Sequence, residues 1–284
     1  MKHICLNLKR FDVPGRFGGV NGIAPVAEWG AYIVHQTEKI LRSYDSGKAK
    51  FTMYFPEAHI LGASAALSAD SPIRIGCQGV YRENTAAGGN FGAFTTNRPA
   101  SAAKALGCSS VIIGHCEERR DKAGIMEMGG AAKSEALNRI LNREIRAAVS
   151  EGLDVLYCIG ETEAEQPCWK EVLEEQLLIG LEGVDTDRIV IAYEPVWAIG
   201  PGKRPPGRDY IVKIAEYVKS ITGGMDVIYG GGLKQDNAGM LATIPEIDGG
   251  LIALTRFDGE IGFYPDEYLD IIRIYLENCG EHLS

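Results

Sequence analysis

Eight short apolar runs recur along the chain, near residues 3–7, 51–55, 73–78, 110–113, 154–158, 188–193, 226–229 and 250–253. They read as continuous apolar stretches, the pattern of strands covered on both faces of a parallel sheet. Between most of them the apolar spacing turns helical, most clearly over 23–43, 131–150, 169–181, 209–220 and 264–278. In the last stretch Tyr268, Ile271, Ile272, Tyr275 and Cys279 fall at helical spacing. Alternating strand and helix predicts an α/β fold with a parallel sheet. Eight such strands in 284 residues predict a closed (β/α)8 barrel rather than an open doubly wound sheet. No linker, low-complexity segment or shift in composition divides the chain, so the expected domain is the whole of 1–284.

Composition narrows the function classes. A chain that is 45% hydrophobic and 24% charged has enough apolar material for a large core. A net charge of −9 argues against nucleic acid as a partner, but not against a small anionic substrate, which meets only local charge. No apolar run is long enough for a bilayer, and the first residues, MKHICLNLKR, lack the apolar core of a signal peptide. Seven scattered cysteines without a CxxC pair read as reduced thiols, which sets the expectation of a cytoplasmic protein without membrane attachment.

In a barrel of this kind the chemistry sits where strands end. The sixth run, IVIAY, is followed by Glu194; Pro195 then stops the strand, and an apolar segment carrying Trp197 precedes Gly200 and Gly202. A carboxylate beneath a segment that closes as a lid suits proton abstraction, because closure excludes water from the base. The first run ends in Asn7 and Lys9, two residues apart and therefore on one face of an extended strand. An amide and an ammonium aimed together suit a developing oxyanion. His115 ends the fourth run just before a polar stretch that opens a helix, where it would face helix-end N–H groups that favour neutral imidazole. Gly230, Gly231 and Gly232 let the backbone after the seventh run approach an anion. Arg10 and Arg16, in a Gly-rich loop over 10–22, read as surface residues, and Cys116 lacks a second base to make it a nucleophile. The other histidines show no metal-ligand spacing.

The segment AYEPVWAIGPGK at 192–203 closely resembles the catalytic-glutamate and lid segment of triose-phosphate isomerases. Asn7-Leu8-Lys9, GHCE at 114–117, CIGE at 158–161, YGGG at 229–232 and GAFT at 92–95 are similar to further motifs of that family. The resemblance implies a TIM barrel in which Glu194 moves a proton between adjacent carbons, neutral His115 polarises the oxygens, and Lys9 and Asn7 stabilise the oxyanion. It implies phosphate binding by the backbone of Gly200, Gly231 and Gly232; at the turn after the last strand, where the chain leaves the family pattern, the Leu254 N–H and a charge-assisted fork from Arg256 are expected to take the place of the lost glycine donors. Glu117, Glu161 and Trp197 are then support and lid residues, Glu161 accepting the Trp197 indole N–H in the open lid. Thr95 lies on the loop by which family subunits dock, which implies a homodimer. Neither metal nor organic cofactor is implied.

The activity so implied is aldose–ketose isomerisation of a small sugar phosphate, glyceraldehyde 3-phosphate to dihydroxyacetone phosphate, a step of glycolysis and gluconeogenesis. The pattern departs at Leu8 (usually Trp), Cys116 (Ser, with one extra residue among the charges that follow), Thr96-Asn97 (Gly-Glu), Pro201 (Thr) and Gly232 (Ser). It departs most after the last strand, where Ala253-Leu254 replace a Gly-Gly pair and the segment DGEIGFYP follows. These changes leave open a larger ketose phosphate such as a tetrulose phosphate, a Schiff-base aldolase using Lys9, or a non-catalytic binder of phosphorylated sugars.

Overall fold

The computed structural model describes residues 1–131, 134–200 and 202–279. Its strands are β1 (Lys2–Asn7), β2 (Ala49–Phe55), β3 (Ile73–Cys77), β4 (Ser110–Ile113), β5 (Asp154–Ile159), β6 (Ile189–Tyr193), β7 (Val227–Tyr229) and β8 (Gly249–Ile252). Its helices are α1 (Trp29–Leu41), α2 (Glu57–Ala66), α3 (Ala100–Ala105), α4 (Cys116–Met128), α5 (Ser134–Ser150), α6 (Trp169–Gly180), α7 (Arg208–Thr222), α8 (Gln235–Ala242) and α9 (Pro265–Asn278). The sheet closes in the order β1 to β8, a (β/α)8 barrel. Every apolar run of the sequence is a strand, because residues covered on both sides need no polar alternation.

Helices were less evenly legible. α4 buries none of its residues, so it carries no apolar stripe to read. α2 and α8 are short and weakly amphipathic, burying only three residues each. α1 starts at Trp29 rather than near residue 23, after a turn in which the Glu28 N–H donates to the carbonyl of Pro25.

Contacts divide the chain into two compact units. The first comprises Met1–Gln78, Leu106–Ser110 and Ile228–Ser284. Here β1 pairs in parallel with β2, from Lys2 opposite Ala49 to Asn7 opposite Tyr54, and with β8, from His3 opposite Gly249 to Leu6 opposite Ile252. Ile4, Leu6, Met53 and Phe55 are buried, as are Trp29 and Ile33 of α1 and Tyr268, Ile271 and Tyr275 of α9. Each such side chain contributes about 1.5–3 kcal/mol by leaving water. The long first loop is tied down by buried Asp12, which takes Arg10 Nη2 at 2.7 Å and His59 Nε2 at 3.2 Å. The segment after β8 folds back on itself through a bridge between Arg256 and Gly262. Gly262 lies against that first loop, leaving a Cβ only 3.3 Å from the Val20 carbonyl.

The second unit comprises Gly79–Ala105 and Val111–Val227. β5 pairs with β6 from Val155 opposite Ile189 to Ile159 opposite Tyr193. Leu173 and Leu177 of α6 and Ile211 and Ile214 of α7 are buried. Arg119 of α4 donates to the carbonyls of Gly114 (2.8 Å) and Cys158 (3.0 Å), to Asn138 Oδ1 (2.9 Å) and to the Tyr157 hydroxyl (3.1 Å). One arginine thus fastens the ends of β4 and β5 to α5, despite the extra residue among the charges.

Lys122 of α4 pairs with Glu118 and, at 2.9 Å, with Glu144 of α5. Burial, with the Glu118 charge second, pushes the Glu144 carboxyl up to about 8. Folded protein therefore holds a proton there that unfolded protein releases near pH 4.5, so stability falls as pH rises from about 4.5 through 8. Denaturation midpoints at pH 5 and pH 8 should show this loss, and Glu144→Gln should flatten it.

Candidate active site

In the first unit β1 stops at Asn7, and Lys9 leaves the strand in a turn with φ +38. The alternation that placed Asn7 and Lys9 on one strand face is therefore not what aims the lysine. Asn7 Oδ1 accepts the Lys9 N–H at 3.0 Å, which closes the turn. Gln78, just past β3, donates Nε2 to Asn7 Oδ1 (3.2 Å) and to the Lys9 carbonyl (3.0 Å). Gln78 escaped the sequence reading; its signal was a lone amide directly after a buried apolar strand. A non-glycine residue held at positive φ by two side chain–backbone bonds, themselves linked by the Gln78–Asn7 contact, is strained, and such strain concentrates at functional positions.

Beyond β7, Gly232 adopts φ +98. Asn237 clamps this turn, accepting the Lys234 N–H at 2.8 Å and donating to the Gly232 carbonyl at 2.9 Å. The Lys234 side chain folds back over the turn, its Cε 3.4 Å from where a Gly232 Cβ would stand. Its ammonium lies 4.2 Å from the centre of the Phe257 ring, which the segment after β8 supplies. After β8, Ala253 and Leu254 are half-buried and carry on into the Arg256 bridge. The Arg256 guanidinium is bonded to Glu267 (Nε 2.7 Å, Nη2 2.6 Å) and stacked on Tyr264 at 3.7 Å. The expected anion fork is thus already filled by a carboxylate, whereas Lys234 lies at the glycine turn.

In the second unit His115 is the residue that caps α4. Its Nδ1 accepts the Glu117 N–H at 3.3 Å, so neutral imidazole carries its proton on Nε2. Nε2 lies 3.2 Å from Glu194 Oε1, and Glu194 Oε2 accepts the Cys116 N–H at 2.8 Å. Glu194 is 2% exposed. Its position rests on β5 and β6: the Glu194 N–H donates to the Ile159 carbonyl, and Gln176 pairs both backbone groups of Gly160 at 2.9 Å. Any Cβ at Gly160 would stand 1.8 Å from the Glu194 carbonyl oxygen, so only glycine leaves the carboxylate there. Glu117 serves here through its N–H, its side chain being exposed; it is Glu118 whose carboxylate accepts the Gly114 N–H, at 2.6 Å.

Glu161 is fully buried. One of its oxygens accepts the Trp197 indole N–H (2.7 Å), the Tyr193 hydroxyl (2.9 Å) and the Tyr210 hydroxyl (3.0 Å). Burial and the Glu161 charge raise both phenols, Tyr210 to about 12, so they remain donors. The Trp197–Glu161 contact is thus present, with two tyrosines added that the sequence did not flag. Gly200 (φ +120) and Gly202 (φ +74) lie in the region that glycine favours, as hinge positions require. Pro201 lies outside the described residues. Thr95 is exposed on its loop, near Phe91, which is 82% exposed at φ +54.

A buried carboxylate beside an imidazole that donates from Nε2 can take a proton from carbon and polarise an adjacent carbonyl. The triosephosphate isomerase family model matches residues 30–273. The chain belongs to the triosephosphate isomerase family. A triosephosphate isomerase of Pelodictyon phaeoclathratiforme is 37% identical over 68% of this chain and 74% of its own. That of Chlorobium chlorochromatii is 34% identical over 86% and 92%. The crystal structure of the triosephosphate isomerase from Bartonella henselae shares the fold, with a TM-score of 0.70 at 23% identity over 97% of this chain and 99% of that one. Triosephosphate isomerases are themselves the standard case of a glutamate base paired with neutral histidine.

Proposed function

We propose that this chain interconverts glyceraldehyde 3-phosphate and dihydroxyacetone phosphate through an enediol. The observation that carries the reading is the buried Glu194 carboxylate 3.2 Å from His115 Nε2, with Nδ1 committed to a helix N–H. Glu194 removes a proton from the carbon beside the carbonyl and returns it to the neighbouring carbon. His115 donates from Nε2 to the carbonyl oxygen and passes protons between the two oxygens. Lys9 supplies positive potential to the enediolate and Asn7 a hydrogen bond. Both oxygens of Glu194 hold donors here, so the carboxylate turns away from Cys116 and His115 to reach substrate. Release of Trp197 from Glu161 accompanies lid closure, which excludes water.

The phosphate is held by backbone N–H groups of Gly200, Gly231 and Gly232, with Lys234 supplying the charge that the altered turn after β8 no longer balances. Lys234→Ala should raise KM about 10- to 150-fold with a smaller change in kcat, the loss of one charge-assisted bond of about 1.5–3 kcal/mol. Arg256→Ala should leave KM nearly unchanged, because its partner is Glu267. Steady-state kinetics on both variants separate the two.

The whole chain acts as one catalytic domain, and we infer a homodimer docked through the Thr95 loop, a reading supported by exposed Phe91. A reducing, cytoplasmic setting fits seven cysteines that are not joined in disulfides. No helix among the described residues is long and apolar enough to cross a membrane. The function is tested by running the reaction in deuterium oxide. Dihydroxyacetone phosphate formed from glyceraldehyde 3-phosphate should carry solvent deuterium at carbon 1; product without any solvent-derived label would contradict an enediol shuttled by an exchangeable carboxylic acid.

A further inference from the structure

The residue that departs from the family pattern beside the catalytic pair has a consequence of its own. Cys116 stands where serine is usual, and it brings sulfur to a carboxylate and an imidazole. We propose that Cys116, His115 and Glu194 form a site for a thiophilic divalent cation, Zn²⁺ above all, whose binding reversibly inhibits the enzyme. Ligand atoms from the three side chains lie within 4.8 Å of one another. Cys116 Sγ is 3.8 Å from His115 Nδ1, and Glu194 Oε1 is 3.2 Å from His115 Nε2. Tetrahedral zinc bound at about 2.0–2.3 Å spaces its ligand atoms about 3.3–3.8 Å apart. The present spread exceeds this by about an ångström, which rotation of the three side chains about their χ angles takes up.

The donor set selects the metal. One sulfur, one imidazole nitrogen and one carboxylate oxygen suit zinc and disfavour magnesium or calcium, which want oxygen alone. Three protein ligands leave a fourth position to water. Glu194 is buried while His115 and Cys116 are half-buried, so a cation from solvent reaches the site from their side. On binding, the thiol releases one proton to solvent and the sulfur takes the metal, while the cation takes a single imidazole nitrogen: at Nε2 the ring proton moves to Nδ1, which gives up the Glu117 N–H, and affinity rises with pH. The cation occupies lone pairs of both groups the isomerisation needs, which is why occupancy stops turnover. A serine there offers only a hydroxyl, a poor ligand for zinc. Sequence spacing gave no sign of metal binding, because Glu194 is distant in sequence and is brought to Cys116 by the fold.

The inhibitory consequence rests on the catalytic roles proposed above; metal binding itself does not. The test uses the full chain, stripped with EDTA, in two arms. In the first, Co²⁺ is titrated as a spectroscopic substitute for zinc. One Co²⁺ per chain should produce a thiolate-to-cobalt charge-transfer band in the near ultraviolet, lost in Cys116→Ser and kept in Cys168→Ser, whose cysteine is exposed elsewhere. In the second, Zn²⁺ is titrated into the isomerase assay. The concentration for half-inhibition, relative to each variant's own metal-free rate, should rise about tenfold or more in Cys116→Ser, and EDTA should restore the rate. A band that survives Cys116→Ser, no band at all, or equal zinc sensitivity in the two proteins would overturn the proposal. A Cys116-dependent band in a chain with no isomerase activity would uphold the metal site and sink the catalytic reading instead.

Discussion

Glu194→Gln is expected to lower kcat about 10³- to 10⁴-fold while leaving KM within a few-fold of the original. The amide keeps the volume of the carboxylate and still offers one oxygen to the Cys116 N–H or to His115 Nε2. What it loses is the capacity to accept a proton from carbon. Because the interaction exists only as the C–H bond breaks, its loss falls on kcat rather than on binding. The folded state should tolerate the change, since the Glu194 backbone bond to Ile159 and the close approach of Gly160 do not involve the side chain. A drop smaller than tenfold, measured with substrate at saturation, would mean that another group is the base.

Lys9→Gly is expected to separate activity from stability. Loss of the ammonium should reduce kcat/KM about 10²- to 10³-fold, the usual effect of removing one group that stabilises a developing oxyanion. Yet the variant should be at least as stable as the parent. Lys9 sits at φ +38, a conformation that costs a non-glycine residue about 1–2 kcal/mol and costs glycine little. Relief of that strain offsets the extra freedom glycine gives the unfolded chain, about 0.5–1 kcal/mol. The bonds that set the turn, from the Lys9 N–H to Asn7 and from Gln78 to the Lys9 carbonyl, are backbone bonds and survive. Denaturant midpoints and steady-state kinetics on one preparation check both halves. A variant that is both inactive and markedly less stable would show that the lysine side chain supports the fold.

Strands were the legible part of this fold, because a strand covered on both faces has one signature, a short apolar run. α4 showed only its start, in the polar stretch after His115, since a helix that buries nothing carries no apolar stripe to mark its extent. In the site, Glu194 and His115 stood out because each is a lone titratable group ending an apolar run, and the donor of their shared contact could be read from the helix that His115 caps. Gln78, Tyr193 and Tyr210 did not stand out: their roles depend on which strand ends and helices lie side by side, and no local spacing records that. The turn after β8 misled in the opposite direction. Arg256 had the right charge for an anion, but Glu267 lies eleven residues on, at the start of α9, and claims the guanidinium. Lys234 carries no sign of its place in the sequence, because Phe257, against which it lies, comes from a separate segment.

The central claim is tested most directly by kcat/KM of the purified chain for glyceraldehyde 3-phosphate, with Glu194→Gln assayed beside it. The account predicts a value approaching the diffusional ceiling of about 10⁸ M⁻¹s⁻¹, a limit for which triosephosphate isomerases are the standard example, and its collapse in the variant. A value orders of magnitude lower, with faster Glu194-dependent turnover of a tetrulose phosphate, would contradict the assignment of substrate. Turnover of neither would contradict the assignment of an isomerase.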